Sequence, residues 1–114
     1  AGSSMGGLMA LYGACAYNHV FSRAACLSPS LWVDSNKALS MIVKGNMKAD
    51  TVIYMDYGSK ELDNHFASKG ALLAAANILL AKQVHLTFRI VPDGDHSEAS
   101  WEKQIPIFME TLGV

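Results

Sequence analysis

The run from Thr51 to Met55, Thr-Val-Ile-Tyr-Met, constrains the fold more than any other stretch of this sequence. It is continuous, β-prone, and bounded by Asp50 on one side and by Asp56-Tyr57-Gly58 on the other. A short apolar run without polar alternation is typical of a parallel strand that is covered on both faces. We therefore expect a sheet that lies between layers of helices.

Two further strands accompany this run. Ala24 to Leu27 predicts a short buried strand, and Val84 to Ile90 alternates apolar with polar residues, as a strand near a sheet edge does. Helical patterns lie before, between and after the three strands. The order predicts a single α/β domain with a parallel sheet and flanking helices, of about three strands and four to five helices.

The helices are predicted from the spacing of apolar residues and from signals at their ends. Residues 7 to 17 carry no charge, which indicates a helix that is apolar all round. The other predictions are a helix from Asn36 to about Val43 that Ser35 caps and Gly45 ends, a helical stretch from Leu62 to Leu80 with a break at Gly70, and a helix from Trp101 to Leu112 that Pro106 bends.

Composition and charge exclude several classes of protein and partner. The 114 residues include 9 Lys and Arg against 10 Asp and Glu, and 51% are hydrophobic, unlike a disordered tail, a coiled coil or a collagen repeat. With a formal charge of -1 and no basic cluster, we expect neither a nucleic acid nor a membrane as partner. The apolar window Ala71 to Ala81 is too short to span a bilayer. Cys15 and Cys26 lie between apolar neighbours and are expected to be buried thiols, and so low a cysteine content favours the cytoplasm.

The first residues hold a possible nucleophile. Gly2-Ser3-Ser4-Met5-Gly6 matches G-x-S-x-G, in which a sharp turn between a strand and a helix holds a strained serine between small residues. The backbone N–H of Met5 can then point at an oxyanion that develops beside Ser4. The alternative is an ordinary glycine-rich helix start. A phosphate-binding loop is disfavoured because no G-K-[ST] ending follows.

A serine nucleophile needs a base, and the base needs an acid that orients it. Of the four histidines, His96 differs because it lies in the turn Asp93-Gly94-Asp95-His96-Ser97, directly after the last predicted strand. Catalytic groups collect beyond the carboxyl ends of parallel strands, and the segment after the central strand holds Asp56 and Glu61. The order Ser4, then Asp56 or Glu61, then His96 is that of the α/β-hydrolase arrangement.

Four stretches spread over nearly the whole chain make the pattern family-specific: Gly2 to Gly7, Ser28-Pro29-Ser30-Leu31-Trp32, Asp56-Tyr57-Gly58-Ser59-Lys60-Glu61, and Gly94-Asp95-His96-Ser97 followed by Trp101. With them, the chain resembles the C-terminal half of a putative-esterase family α/β-hydrolase, the group that includes esterase D and the enterochelin esterases. In relatives that resemble this chain, the acid lies three residues after the glycine of the third stretch, which here is Glu61. Esterase D has Asp at that place, so Asp56 stays the runner-up acid.

The resemblance implies a serine ester hydrolase that acts on a small-molecule ester. His96 takes the proton from Ser4, the N–H of Met5 stabilises the oxyanion, and Glu61 orients the imidazole. Trp32 and Tyr57 follow strand ends and are expected either to line the substrate pocket or to be aromatic packing residues.

No metal or organic cofactor is expected for such a reaction. A metal cluster of Asp93, Asp95 and His96 is disfavoured, because three ligands crowd one tight turn without a distant fourth.

The resemblance also implies that residues 1–114 are an incomplete domain, the C-terminal half of an α/β-hydrolase that starts at the nucleophile turn. We expect weak activity or none from this chain alone. The strand Ala24 to Leu27 would then pair with the missing N-terminal half or with another copy of the chain. The competing prediction is a non-catalytic assembly module that oligomerises through its apolar helix and its open sheet edge.

Overall fold

A computed structural model describes residues 1–31, 34–64 and 66–113. Strands and helices alternate along the described chain. The strands are β1 (Gly2–Ser3), β2 (Arg23–Leu27), β3 (Val52–Gly58) and β4 (His85–Val91). The helices are α1 (Met5–Ala16), α2 (Ser35–Lys44), α3 (Ser59–Asn64), α4 (Phe66–Ala81), α5 (Glu98–Glu102) and α6 (Ile105–Leu112).

The described strands form one sheet in the order β1-β2-β3-β4, and every neighbouring pair is parallel. The parallel α/β architecture predicted from the sequence is therefore confirmed, with β4 at an edge. The sheet has one strand more than expected, because Gly2 and Ser3 extend beside Cys26 and Leu27. The expectation that the strand Ala24 to Leu27 lacks a neighbour on this side is wrong for its last two residues.

Both faces of the central strand β3 are covered, as its continuous apolar run predicts. Ile53 and Met55 point into a core that α1, α2 and α4 close, whereas Tyr54 packs with Phe108 of α6 on the opposite face. In a sheet whose strands follow sequence order, connections of one hand place their helices on the same face. Helix α6 comes after the last strand and covers the other face.

The N-terminal cap of α2 is Asp34, so the prediction that Ser35 caps this helix is wrong. The carboxylate of Asp34 accepts a hydrogen bond from the N–H of Lys37 at 3.1 Å. Ser35 is the first helical residue, and its hydroxyl donates to the carbonyl of Leu31 at 3.1 Å. Both residue types can cap a helix, and the sequence alone does not decide between two adjacent candidates.

Gly70 lies inside α4, so the predicted break at this residue is wrong. Helix α4 begins at Phe66 and continues past Gly70 to Ala81. A Cβ on Gly70 would meet no heavy atom within 4 Å. An exposed helical glycine costs only about 0.5–1 kcal/mol, which is too little to end a helix that buries Leu72 and Leu79.

The C-terminal segment forms two helices, so the single bent helix predicted from Trp101 to Leu112 is wrong. Helix α5 ends at Glu102, and Pro106 lies in the first turn of α6, where its missing N–H removes no intrahelical hydrogen bond. The apolar spacing still identifies the packing side of α6, since Phe108 and Leu112 are buried.

Helix α1 buries one side and exposes the other, although it is apolar on both. Leu11, Ala14 and Cys15 belong to the core, whereas Met9 is 60% exposed and Tyr12 is 38% exposed. In the part of the chain that the structure describes, no helix has both the length and the apolar character needed to cross a membrane.

Candidate active site

Ser4 occupies the sharp turn between β1 and α1. Its φ of 57° and ψ of −120° lie in a region that non-glycine residues seldom adopt. Main-chain hydrogen bonds hold the turn, because the N–H of Ser4 donates to Leu27 at 2.9 Å and its carbonyl accepts from Leu8 and Ser30, each at 3.1 Å. The strained serine that the G-x-S-x-G pattern predicts is therefore present.

The glycines around Ser4 have different roles. A Cβ on Gly2 would lie 2.2 Å from the carbonyl oxygen of Gly6, and one on Gly7 would lie 2.8 Å from the carbonyl oxygen of Leu27. A Cβ on Gly6 would meet no described heavy atom within 4 Å. Gly2 and Gly7 therefore have no room for a side chain, whereas Gly6, the second glycine of the pattern, does.

The loop after β4 carries His96 and is joined to the segment after β3. Gly94 accepts a hydrogen bond from the N–H of Lys60 at 3.0 Å, and the N–H of Asp93 donates to the Ser59 hydroxyl at 2.8 Å. These bonds tie the loop to the first turn of α3, the helix that carries Glu61. They hold His96 beside Glu61, 35 residues earlier in sequence.

Ser4, His96 and Glu61 form a continuous hydrogen-bonded row. The Ser4 Oγ lies 2.9 Å from Nε2 of His96, and Nδ1 of His96 lies 2.6 Å from Oε1 of Glu61. An ionised carboxylate only accepts hydrogen bonds, so Nδ1 donates to Glu61. In a neutral imidazole, Nε2 is then free of its proton and accepts from the serine hydroxyl.

Glu61 is enclosed while His96 faces solvent. The side chain of Glu61 is 6% exposed and that of His96 is 39% exposed. The second carboxylate oxygen of Glu61 accepts from the backbone N–H of Gly58 and from the hydroxyl of Ser28, both at 2.7 Å. These two donors hold Oε2, so Oε1 is left to accept the hydrogen bond from the imidazole of His96.

Asp56, the runner-up acid, has a different set of partners. It belongs to β3 instead of the loop after it, because the strand is longer than the apolar run Thr51 to Met55 predicts. Its carboxylate accepts from the Tyr54 hydroxyl at 2.7 Å, on the face covered by α6. Burial raises the pKa of Asp56 above its ordinary value, although the bond from Tyr54 acts in the opposite direction.

The sequence predicts that Met5 contributes to the oxyanion site and that Tyr57 either lines the substrate pocket or is an aromatic packing residue. Met5 is the first residue of α1, and the N–H groups of a first helical turn have no acceptor within the helix. Tyr57 is 1% exposed and donates to the carbonyl of Pro29, so it supports the site from the core and offers no surface to a substrate in the described chain. Trp32 lies outside the described residues.

Three further residues touch this row, and no local sequence pattern predicts a role for any of them. Ser30 is buried, and its Oγ lies 3.2 Å from that of Ser4. Ser28 contacts Glu61, and Trp101 contacts both Ser28 and the ring of His96. Ser28, Ser30 and Trp101 belong to the family-specific stretches, which is the one sequence signal that could have identified them.

The acidic turn before His96 makes internal hydrogen bonds. The Ser97 hydroxyl donates to the carboxylate of Asp95 and also caps α5 by accepting from the N–H of Ser100. Across the described residues, no three His, Cys, Asp or Glu side chains are grouped so that they could hold a metal ion.

The family model described as Putative esterase matches residues 1–111, which is nearly the whole chain. Among curated proteins, none matches the chain.

Proposed function

The chain belongs to the putative esterase family, and from that premise we propose that it carries the catalytic triad of a serine ester hydrolase. Membership of the family indicates an esterase, a kind of hydrolase. The finer assignment is that Ser4 is the nucleophile, His96 the general base and Glu61 the orienting acid. The observation that carries it is the row of hydrogen bonds from Ser4 through His96 to Glu61, at 2.9 and 2.6 Å.

In the proposed reaction, Nε2 of His96 takes the hydroxyl proton as Ser4 Oγ attacks the ester carbonyl. A tetrahedral intermediate forms, and its collapse expels the alcohol, which receives the proton from His96. Water then attacks the acyl-serine with His96 again acting as base, and the carboxylic acid leaves. Glu61 holds the imidazole in the tautomer that accepts at Nε2 and stabilises its charged form.

The backbone N–H of Met5 is proposed to bind the oxyanion of that intermediate. It belongs to the residue after the nucleophile and to the first turn of α1, where helix N–H groups and the helix dipole favour negative charge. The unusual φ and ψ of Ser4 support this role, because the turn exposes the serine hydroxyl at the start of the helix.

Glu61 is favoured over Asp56 as the acid. The contact at 2.6 Å joins Glu61 to His96, whereas the carboxylate of Asp56 accepts from the hydroxyl of Tyr54. Each of the first three parallel strands is followed by one residue of this hydrogen-bonded set: Ser4 after β1, Ser28, which donates to Glu61, after β2, and Glu61 after β3. His96 follows β4 and completes the set.

The test is hydrolysis of a p-nitrophenyl ester by the protein as it is naturally produced. Ser4→Ala and His96→Gln should each lower kcat by about 10^4-fold, and the double variant should be no worse, because the residues of a triad act as a unit. Glu61→Gln should lower kcat by a similar order, whereas Asp56→Asn should keep it within a few fold. Equal losses for the Glu61 and Asp56 variants would remove the assignment of the acid.

A second candidate is the assembly module, which the exposed face of α1 favours. Met5, Met9 and Tyr12 are exposed on it, and a cavity of about 280 Å³ lined mainly by apolar groups lies between α1 and α2. Its expected partner, an N-terminal half of the domain or another copy of this chain, stays a prediction. Analytical ultracentrifugation separates the cases, since a monodisperse monomer at high micromolar concentration would argue against self-assembly and Met9→Gln should weaken any dimer.

A further inference from the structure

Trp101 is joined to Glu61 through the hydroxyl of Ser28. The indole Nε1 of Trp101 lies 3.0 Å from Ser28 Oγ, which lies 2.7 Å from Oε2 of Glu61. An indole N–H only donates, so the serine oxygen accepts from Trp101. The serine proton is then available for the carboxylate, and each hydrogen bond in this row has one possible direction.

Trp101 also contacts the base directly. Its ring meets that of His96 edge to face, with centroids 4.9 Å apart and planes at 86°. One side chain on α5 therefore touches the imidazole with its ring and reaches the acid through its N–H. Such an arrangement restricts rotation of the imidazole and of the carboxylate together, although His96 itself is partly open to solvent.

Ser28 makes these bonds from a strained backbone conformation. Its φ is 43°, in the left-handed region that a serine seldom adopts. The residue is buried, and its N–H donates to the carbonyl of Asp56 at 3.0 Å, which ties the end of β2 to β3. Backbone strain of this kind persists where the surrounding structure enforces it, and it is concentrated at functional sites.

We propose that Ser28 and Trp101 are positioning residues of the esterase site: Trp101 holds the ring of His96 and donates to Ser28, and Ser28 donates to Glu61. The proposal rests on the proposed function, since it adds two residues that act through the base and the acid. Neither residue touches the reacting atoms. Both are expected to affect the rate of the acyl transfer steps while leaving the affinity for the ester unchanged.

The kinetic test compares a variant that removes both hydrogen bonds of the Ser28 hydroxyl with one that removes only the bond from Trp101. Ser28→Ala removes the hydroxyl, and Trp101→Phe removes the N–H while keeping an aromatic edge near His96. Ser28→Ala should lower kcat by about 10- to 100-fold, the range for a hydrogen bond to a charged group, and Trp101→Phe by about 3- to 10-fold, the range for a bond between neutral groups, with KM unchanged in both. Because the two bonds are in series, Trp101→Phe should cost little more in a chain that already carries Ser28→Ala.

Two further variants separate positioning from simple destabilisation. Ser28→Gly lacks the hydroxyl but relieves the strained φ, so it should be more stable than Ser28→Ala and equally slow. Ile42→Val removes a methyl group from the core on the opposite face of the sheet, which α1, α2 and α4 close, so it should lower the unfolding temperature without changing kcat. A kcat that follows stability across these four variants would overturn the proposal.

A spectroscopic readout does not depend on turnover. The proton that Nδ1 of His96 donates to Glu61 should give a far-downfield NMR signal, identified by its loss in Glu61→Gln. In Ser28→Ala and Trp101→Phe, that signal should move upfield and exchange faster with water. An unchanged signal in both variants would overturn the positioning role even if the protein hydrolyses no ester, whereas a changed signal without any hydrolysis would count against the esterase function alone.

Discussion

The carbonyl oxygen of Gly94 lies so close to the Cα of Gly58 that a Cβ placed on Gly58 would be 2.1 Å from it. This approach joins the end of β3 to the loop that carries His96. The N–H of Gly58 also donates to Glu61 at 2.7 Å. Gly58 therefore sets the distance between the end of β3 and the loop that carries His96, and its N–H orients the carboxylate of Glu61.

Gly58→Ala should consequently impair the site more than a glycine substitution elsewhere. The added methyl group must push the loop of His96 away from β3, and a displacement of about 1 Å at a catalytic group costs on the order of 100-fold in rate. Ester hydrolysis and urea unfolding measure both effects. Gly70→Ala is the control, because its Cβ meets open space in α4; it should keep kcat and raise stability by about 0.5–1 kcal/mol.

The glycines of the nucleophile turn should also differ in their tolerance to substitution. Gly6→Ala places a methyl group in open space at the start of α1 and should stabilise the protein by about 0.5–1 kcal/mol. Gly7→Ala places one 2.8 Å from the carbonyl oxygen of Leu27 and should destabilise it by about 1–3 kcal/mol. Chemical denaturation of the two variants checks the order, and equal stabilities would contradict the geometry of the turn.

Stability should depend on pH through Asp56. Burial raises its pKa in the folded protein above the ordinary value of 3.8, so the folded state favours the protonated carboxyl. The contribution of Asp56 to stability is complete below pH 3.8 and is lost as the pH rises through the raised folded value. The free energy of unfolding of the wild-type protein, minus that of Asp56→Asn, should therefore fall as the pH rises from 3 to 7. A difference that grows as the pH rises over this range would contradict a raised pKa for Asp56 in the folded protein.

Both cysteines should react slowly in the folded protein. Burial raises the pKa of Cys15 from 9.0 to about 11, although the nearby charge of Lys82 lowers it, and burial raises that of Cys26 as well. At pH 8 this shift alone reduces the reactive thiolate of Cys15 by about 100-fold. Ellman's reagent should therefore label two thiols rapidly in guanidinium chloride and neither at that rate in buffer. A native thiol that reacts as fast as an unfolded one would show that the core is more open than described.

The sequence predicts much of this fold because its signals are local. The run Thr51 to Met55 identifies a strand that is buried on both faces, and the apolar spacing of Phe108 and Leu112 identifies the packing side of α6. Local signals fail where two neighbours can do the same task, as with Asp34 and Ser35 at the start of α2. They also fail for Gly70, because its small local cost is exceeded by the burial of the helix around it.

The candidate site likewise contains residues that local sequence signals predict and contacts that they do not. Ser4 and His96 are identified by local turns and by their places after strands, and the family resemblance selects Glu61. The link from Trp101 to Ser28 spans 73 residues of sequence, and no local pattern predicts that an indole N–H meets that hydroxyl. The difference between Gly6 and Gly7 likewise depends on where β2 ends beside α1.

The central claim is that Ser4 is the activated nucleophile, and covalent labelling with a fluorophosphonate tests it most directly. The measurement is the mass of the adduct and its position by peptide sequencing, in the naturally produced protein and in Ser4→Ala. Position matters because the hydroxyl of Ser30 lies only 3.2 Å from that of Ser4. We predict one adduct on Ser4, lost in Ser4→Ala and formed much more slowly in His96→Gln. An adduct on Ser30, or labelling that persists in Ser4→Ala, would contradict the claim.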